Sequence, residues 1–173
     1  SSIDKSEKTY HIFYLLTEKY KELSQYKLEK SENYRILLES DYKHTINEFC
    51  DLNRFFLVME QFNFTKQEQN LVILKIQLIL KLLNVTCKED LAIFIHNSAD
   101  LLNNLCINKD DIWCILTQKS ITTRNETIIK ELSEDEIIVK LKTHVEDIYE
   151  SIFIGIIDKI SSNLDKTSDT YMS

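Results

Sequence analysis

The sequence contains no proline and a single glycine, Gly155, among its 173 residues. Because every residue keeps its backbone N–H donor, long helices can run without the break that proline would impose. Turns that require a positive φ must use Asn or Asp, since one glycine cannot serve them all. The composition therefore favours an all-helical fold, and 43% apolar residues supply enough material for the core of one domain.

Signatures of enzymatic chemistry are also absent. Nucleotide-hydrolysing proteins surround phosphates with a glycine-rich GxxxxGK[ST] loop, which a chain with one glycine cannot form in the usual way. No nucleophile-elbow sequence organises a serine for hydrolysis. The histidines have no i, i+4 spacing that would suit a metal; they are His11, His44, His96 and His144. We therefore predict no catalytic, cofactor-binding or metal-ligating residue in this chain.

The chain lacks both an excess of positive charge and a long apolar run. Its formal net charge of -7 disfavours a broad surface for nucleic acid or for an acidic membrane. The most apolar stretch, from Leu71 to Leu83, is shorter than the roughly 20 residues of a membrane span and includes Lys75 and Lys81. It predicts a buried core helix and no membrane span. No apolar signal segment opens the sequence, which favours a cytoplasmic location.

The four cysteines are far apart and include no CxxC pair; they are Cys50, Cys87, Cys106 and Cys114. This spacing predicts neither a zinc knuckle nor a dense disulfide framework. We interpret them as reduced thiols in the core, which suits a cytosolic protein.

Apolar residues at helical spacing, together with capping signals, predict about six helices. Three capping boxes mark helix starts: Thr45 with Glu48, Thr65 with Glu68, and Ser133 with Glu136. The predicted helices are Tyr10 to Leu23, Thr45 to about Asn63, Thr65 to Leu83, Leu91 to Leu105, Asn108 to Leu116, and a long one from Ser133 to Leu164. We expect residues 1–164 to form a single helical domain and the polar residues 165–173 to form a loose tail.

The stretch Ser120 to Lys130 interrupts the helical period. Its β-branched residues favour strands, and Arg124 and Asn125 stand where a turn would lie. The sequence therefore predicts a small β-hairpin near residues 119–130 within an otherwise all-α fold.

Several short motifs follow one another in a recognisable order. Tyr10 to Tyr14 reads YHIFY, and Met59 to Asn70 reads MEQFNFTKQEQN. Further along come ADLL from Ala99, the element Asn125, Glu126 and Lys130, and IYESIFIGIIDKISSNL from Ile148. In this order the motifs resemble the stretch of a myosin motor head that follows switch I and precedes switch II.

The resemblance has two departures that indicate a divergent myosin. Asn63 stands where the family usually has glycine. The family's alanine-rich turn with Arg-Asp is replaced by Leu141, Lys142, Thr143 and His144. The match still covers most of the chain.

The resemblance implies that this chain is the upper actin-binding subdomain of a myosin-like motor associated with the cytoskeleton. Its hairpin would be the one called the cardiomyopathy loop, which reaches towards the actin filament. The implied actin-binding residues are Lys119, Thr123, Arg124, Asn125, Glu126 and Lys130. The implied partners are the actin filament and the remainder of the motor head. The first and last predicted helices would lie side by side.

The resemblance also implies that the full parent chain is an actin-activated ATPase that uses Mg-ATP. This chain contains neither the switch motif NxNSSRFG nor DxxGFE, so we expect no ATPase activity from it alone. The alternative hypothesis is a helical interaction or scaffold module from a degenerate, non-hydrolysing motor-like protein. In that case the hairpin cations would be ordinary solubilising loop residues.

We predict that the purified chain is a folded helical monomer that does not bind Mg-ATP, because no part of its sequence provides a phosphate cradle. Isothermal titration calorimetry with Mg-ATP measures this directly. Saturable binding with a micromolar dissociation constant would contradict the prediction.

Overall fold

The computed structural model describes residues 52–171, with side chains described for residues 56–166. The predicted helix Tyr10 to Leu23 and the capping box of Thr45 and Glu48 lie outside these residues. Within the described part the backbone forms six α-helices and one two-stranded antiparallel sheet. The elements are α1 (Leu52–Gln61), α2 (Lys66–Leu82), α3 (Lys88–Asn97), α4 (Ala99–Asn104), α5 (Lys109–Thr117), β1 (Gln118–Thr122), β2 (Thr127–Glu131) and α6 (Glu134–Tyr171). The predicted fold class is confirmed.

Helix α2 forms the centre of the core. It begins at the predicted capping box, where Thr65 Oγ1 accepts the Glu68 N–H at 3.1 Å and Glu68 Oε2 accepts the Thr65 N–H at 2.7 Å. These two bonds satisfy donors that the first helical turn leaves unpaired. Its aliphatic side chains are buried around most of its circumference, and the helix packs against α3, α4 and α6. The prediction of a central buried helix is confirmed.

The turn between α1 and α2 requires a backbone conformation that few residues adopt. Asn63 has a φ of 60°, in the left-handed region that glycine or asparagine tolerates. Asn63 fits the expectation that Asn or Asp takes the positive-φ positions of a chain with one glycine. Cys106, after α4, is the other non-glycine residue of the described part with a positive φ, at 56°, so the expectation that only Asn or Asp would take such positions is wrong there.

The predicted fourth helix, Leu91 to Leu105, is two helices in the structure. The break lies at Ser98, where φ is -108° and ψ is 27°, between α3 and α4. Asn97 and Ser98 are weak helix formers because their short polar side chains compete with the backbone for hydrogen bonds. Ser98 is buried, and α3 and α4 both pack against α2 despite the break.

Helix α6 begins at the predicted capping box and ends later than predicted. The Ser133 N–H donates to Glu136 Oε2 at 2.9 Å, and Ser133 Oγ accepts the Glu136 N–H at 3.3 Å. The helix continues to Tyr171, so the predicted end at Leu164 is wrong. Residues 165–171 include neither proline nor glycine, and their backbone can extend the helical hydrogen bonding without a stop signal.

The second half of α6 is fastened to the α1–α2 turn. Lys159 Nζ pairs with Glu68 Oε1 at 3.0 Å, and the Asn163 side-chain amide donates to the carbonyl oxygen of Phe62. Phe153 and Ile157, on another side of this half, are exposed. The side-by-side arrangement of α6 with Tyr10 to Leu23 stays a prediction, because the first helix lies outside the described residues.

The prediction that the cysteines lie in the core is wrong for the three that the structure describes. Cys106 and Cys114 are exposed and Cys87 is half-buried, and all three are free thiols, while Cys50 lies outside the described residues. Cys87 instead caps α3, with Sγ at 3.5 Å from the Asp90 N–H.

The apolar stretch from Leu71 to Leu83 was expected to form a core helix and not a membrane span. No helix within residues 52–171 combines the length and the apolar character needed to cross a bilayer.

The backbone at Asn63 leads to a stability prediction. We expect Asn63→Ala to lower the free energy of unfolding by about 1 kcal/mol, because alanine lacks the tolerance of asparagine for the left-handed region. Asn63→Gly should be within about 0.5 kcal/mol of the wild type, since glycine adopts this conformation freely. Urea denaturation of the three proteins gives these values. An alanine variant as stable as the glycine variant would contradict the backbone argument.

Candidate functional site

The predicted hairpin is present and joins α5 to α6. Its strands pair in antiparallel register from Gln118 opposite Glu131 to Thr122 opposite Thr127. The Leu132 N–H donates to the Thr117 carbonyl at 2.8 Å and closes the base against the end of α5. Every residue from 119 to 131 is exposed, so the hairpin projects from the helical body with both faces accessible.

Four of the predicted site residues form the tip of the hairpin. The Thr123 N–H and the Thr123 hydroxyl both donate to the Glu126 carbonyl oxygen, at 2.9 and 3.2 Å. These bonds close the turn and leave Arg124 and Asn125 at its apex. Both apex residues are exposed and have negative φ. The tip is therefore a stable turn that holds a guanidinium group at the point farthest along the chain from the hairpin base.

The other two predicted residues, Lys119 and Lys130, lie directly opposite each other and on one face of the hairpin. Like charges in this position repel each other. The Glu136 carboxylate at the start of α6 offsets that repulsion. Its pKa is lowered, first by the hydrogen bond from the Ser133 N–H and further by the charges of Lys130 and Lys119. The lysines therefore form a basic patch beside the first turn of α6.

Three exposed isoleucines belong to the same hairpin and were missed as site residues. Ile121 and Ile128 are opposite each other on the lysine face, 40% and 52% exposed, and Ile129 on the other face is 67% exposed. The sequence did hold a signal for them. Consecutive strand residues point to opposite faces, so Ile128 and Ile129 cannot both turn inwards. In a two-stranded hairpin without a covering layer, at least one must face solvent.

The base of the hairpin is held by a polar network that sequence reasoning also missed. The Gln118 side-chain amide donates to Glu131 Oε1 at 2.7 Å, and Lys88 Nζ lies 3.1 Å from Glu131 Oε2. From α6, Lys140 Nζ donates to the Gln118 carbonyl oxygen at 2.7 Å. The pKa of Glu131 is lowered, mainly by the Gln118 hydrogen bond and then by Lys88. Lys88 precedes Glu131 by 43 residues, and no local pattern reveals such a contact.

The hairpin exposes cationic and apolar side chains together. It presents three cationic side chains and three isoleucines on a projecting hairpin, with carboxylates confined to Glu126 at the tip and Glu131 at the base. Within residues 56–166 no group of His, Cys, Asp and Glu is arranged to hold a metal ion. The residues that the structure brings together are suited to contact with another macromolecule.

The comparisons with known proteins agree with one another. The family model described as myosin head (motor domain) matches residues 2–173 of the chain. Myosin-6 of Arabidopsis thaliana is 25% identical over 181 aligned residues, which cover 95% of this chain and 12% of that protein. The chain thus spans a small part of the length of this relative. Since the family model matches almost every residue, the chain belongs to the myosin head (motor domain) family.

Proposed function

We propose that this chain is the upper actin-binding subdomain of a myosin-like, ATP-driven motor, and that the hairpin at residues 119–130 contacts the actin filament. The observation that carries the proposal is the hairpin itself. It projects from the helical body with every residue exposed, at the place where the motifs of the sequence resemble the actin-binding loop of the family.

The charge of the hairpin supports an acidic partner. The chain as a whole carries a net charge of -7, yet Lys119, Arg124 and Lys130 concentrate positive charge on one projection. A local patch of this kind steers an acidic surface towards it and fixes orientation, even where the mean field of the protein is negative. The patch therefore favours a partner with an acidic surface, and in this proposal that partner is actin.

The isoleucines supply the apolar part of such a contact. Full burial of one isoleucine contributes about 1.5–3 kcal/mol, and Ile128 and Ile129, which are 52% and 67% exposed, have half to two thirds of that burial still available. A surface this small cannot give tight binding once the loss of translational and rotational freedom is subtracted. We therefore expect weak binding from this subdomain and tighter binding from a complete motor head.

The catalytic work of the motor would be done elsewhere in the parent protein. In this proposal the remainder of the motor head binds and hydrolyses Mg-ATP, and this chain contributes surface alone. Its place would be on the cytoskeleton in the cytoplasm. Support comes from the family of the chain and from its absent phosphate and switch motifs.

Charge reversal in the hairpin tests the proposed contact. Arg124→Glu combined with Lys130→Glu should weaken binding to actin filaments by about tenfold, because each reversal replaces an attraction by a repulsion. Binding of the wild type should also weaken between low and moderate salt, as screening predicts. Co-sedimentation with filaments measures both effects.

The matched control reverses two exposed lysines outside the hairpin, Lys109→Glu with Lys142→Glu, and changes the net charge equally. This variant should keep most of its binding. Binding that survives both the hairpin reversal and moderate salt would show that the hairpin is not the contact. Equal losses in the two double variants would show that only the net charge matters.

A further inference from the structure

Building on the proposed function, we propose that Lys88 is a positioning residue for the hairpin. Its ammonium group ties strand β2 to the first turn of α3, and this tie sets the direction in which the hairpin meets its partner. Lys88 itself need not touch the filament.

Three contacts meet at Lys88. Its Nζ is 3.1 Å from Glu131 Oε2 on β2 and 5.5 Å from the centre of the Trp113 ring on α5. Its backbone N–H donates to Glu134 Oε2, at the start of α6, at 2.7 Å. One residue at the start of α3 is therefore connected to the hairpin, to α5 and to α6.

The hairpin depends on contacts at its base for its orientation. A two-stranded hairpin is marginally stable by itself, and residues 119–130 are exposed on both faces. Lys140 fastens β1 to α6 through the Gln118 carbonyl, and Lys88 fastens β2 to α3. The Gln118 side chain links the two strands by donating to Glu131. Without the Lys88 tie, β2 would still pair with β1 and keep the Leu132 N–H bond to the Thr117 carbonyl, but it would lose its ion pair with α3, so we expect the hairpin to open more often.

The side chain of Lys88 can be removed without removing its backbone bond. Because Glu134 accepts the N–H, a substitution at position 88 preserves that bond and the start of α3. The side chains of Lys88 and Glu131 are 36% and 58% exposed, so water weakens the ion pair and its effect on global stability is small. Local opening of the hairpin should still respond, since local and global unfolding have separate free energies.

A firmly held hairpin binds better than a mobile one of the same sequence. A mobile segment loses conformational entropy when it binds, and this loss lowers its affinity. A preorganised segment has already lost that entropy on folding. Lys88 would thus influence affinity through presentation of the hairpin. This distinguishes it from Arg124, for which we propose direct contact.

The test uses variants of the whole 173-residue chain. Lys88→Met keeps the length of the side chain and removes its charge, and Lys88→Arg keeps the charge. Lys66→Met is the matched control, because Lys66 is likewise the first residue of a helix and pairs with a glutamate, Glu60, at 2.6 Å. Glu131→Gln removes the carboxylate charge that pairs with Lys88 and also weakens the hydrogen bond that Glu131 accepts from Gln118. Far-UV circular dichroism and urea denaturation verify that each variant folds.

Hydrogen exchange of the hairpin amides is the first measurement. In Lys88→Met and Glu131→Gln these amides should exchange about two- to fivefold faster than in the wild type. Lys88→Arg and Lys66→Met should match the wild type. Unchanged exchange in Lys88→Met, equal acceleration in Lys66→Met, or failure of Lys88→Arg to preserve protection would each overturn the proposal.

Co-sedimentation with actin filaments is the second measurement and separates the two proposals. Lys88→Met should bind about two- to fivefold more weakly than the wild type, while Lys88→Arg and Lys66→Met bind normally. If the wild type does not bind actin, the proposed function is overturned. Faster amide exchange in Lys88→Met would still support the tie between Lys88 and Glu131. Normal binding by Lys88→Met would overturn the positioning role.

Discussion

The packing of α6 along α2 is the contact on which both ends of the described structure depend. From Glu134 to Asn163 the helix covers roughly 44 Å, and its buried face includes Ile137, Leu141 and Ile152. Its first turns meet the hairpin base and the start of α3, and its second half meets the turn that contains Asn63. Helix α6 is therefore in contact with both the hairpin base and the α1–α2 turn and links them structurally.

The described part consists of a buried helical core and a projecting hairpin. The core is aliphatic and is built around α2, where the side chains are closely packed. The hairpin, in contrast, carries its cations and isoleucines exposed to solvent. Its direction is set by a few polar contacts at its base. Under the proposed function, the hairpin would present this surface to actin, and ATP hydrolysis would take place elsewhere in the parent protein.

Features that depend on nearby residues could be predicted from the sequence, and features that depend on distant ones could not. The capping boxes at Thr65 and Ser133, the left-handed Asn63 and the hairpin all follow from residues within a few positions of one another. The tie from Lys88 to Glu131 joins residues 43 apart, so only the fold reveals it. The break at Ser98 was missed because the apolar spacing continues through it. The exposed cysteines show that residue type alone predicts burial poorly when the packing partners are unknown.

The central claim is that the hairpin is the part of this chain that contacts actin, and site-specific photo-cross-linking tests it most directly. A benzophenone amino acid would replace Ile129 on the hairpin or, as a control, Ile93 on α3, which is also exposed. After irradiation with filaments at low salt, mass spectrometry identifies any cross-linked peptide. The account predicts actin adducts from position 129 and few or none from position 93. Adducts from position 93 without any from position 129 would contradict it.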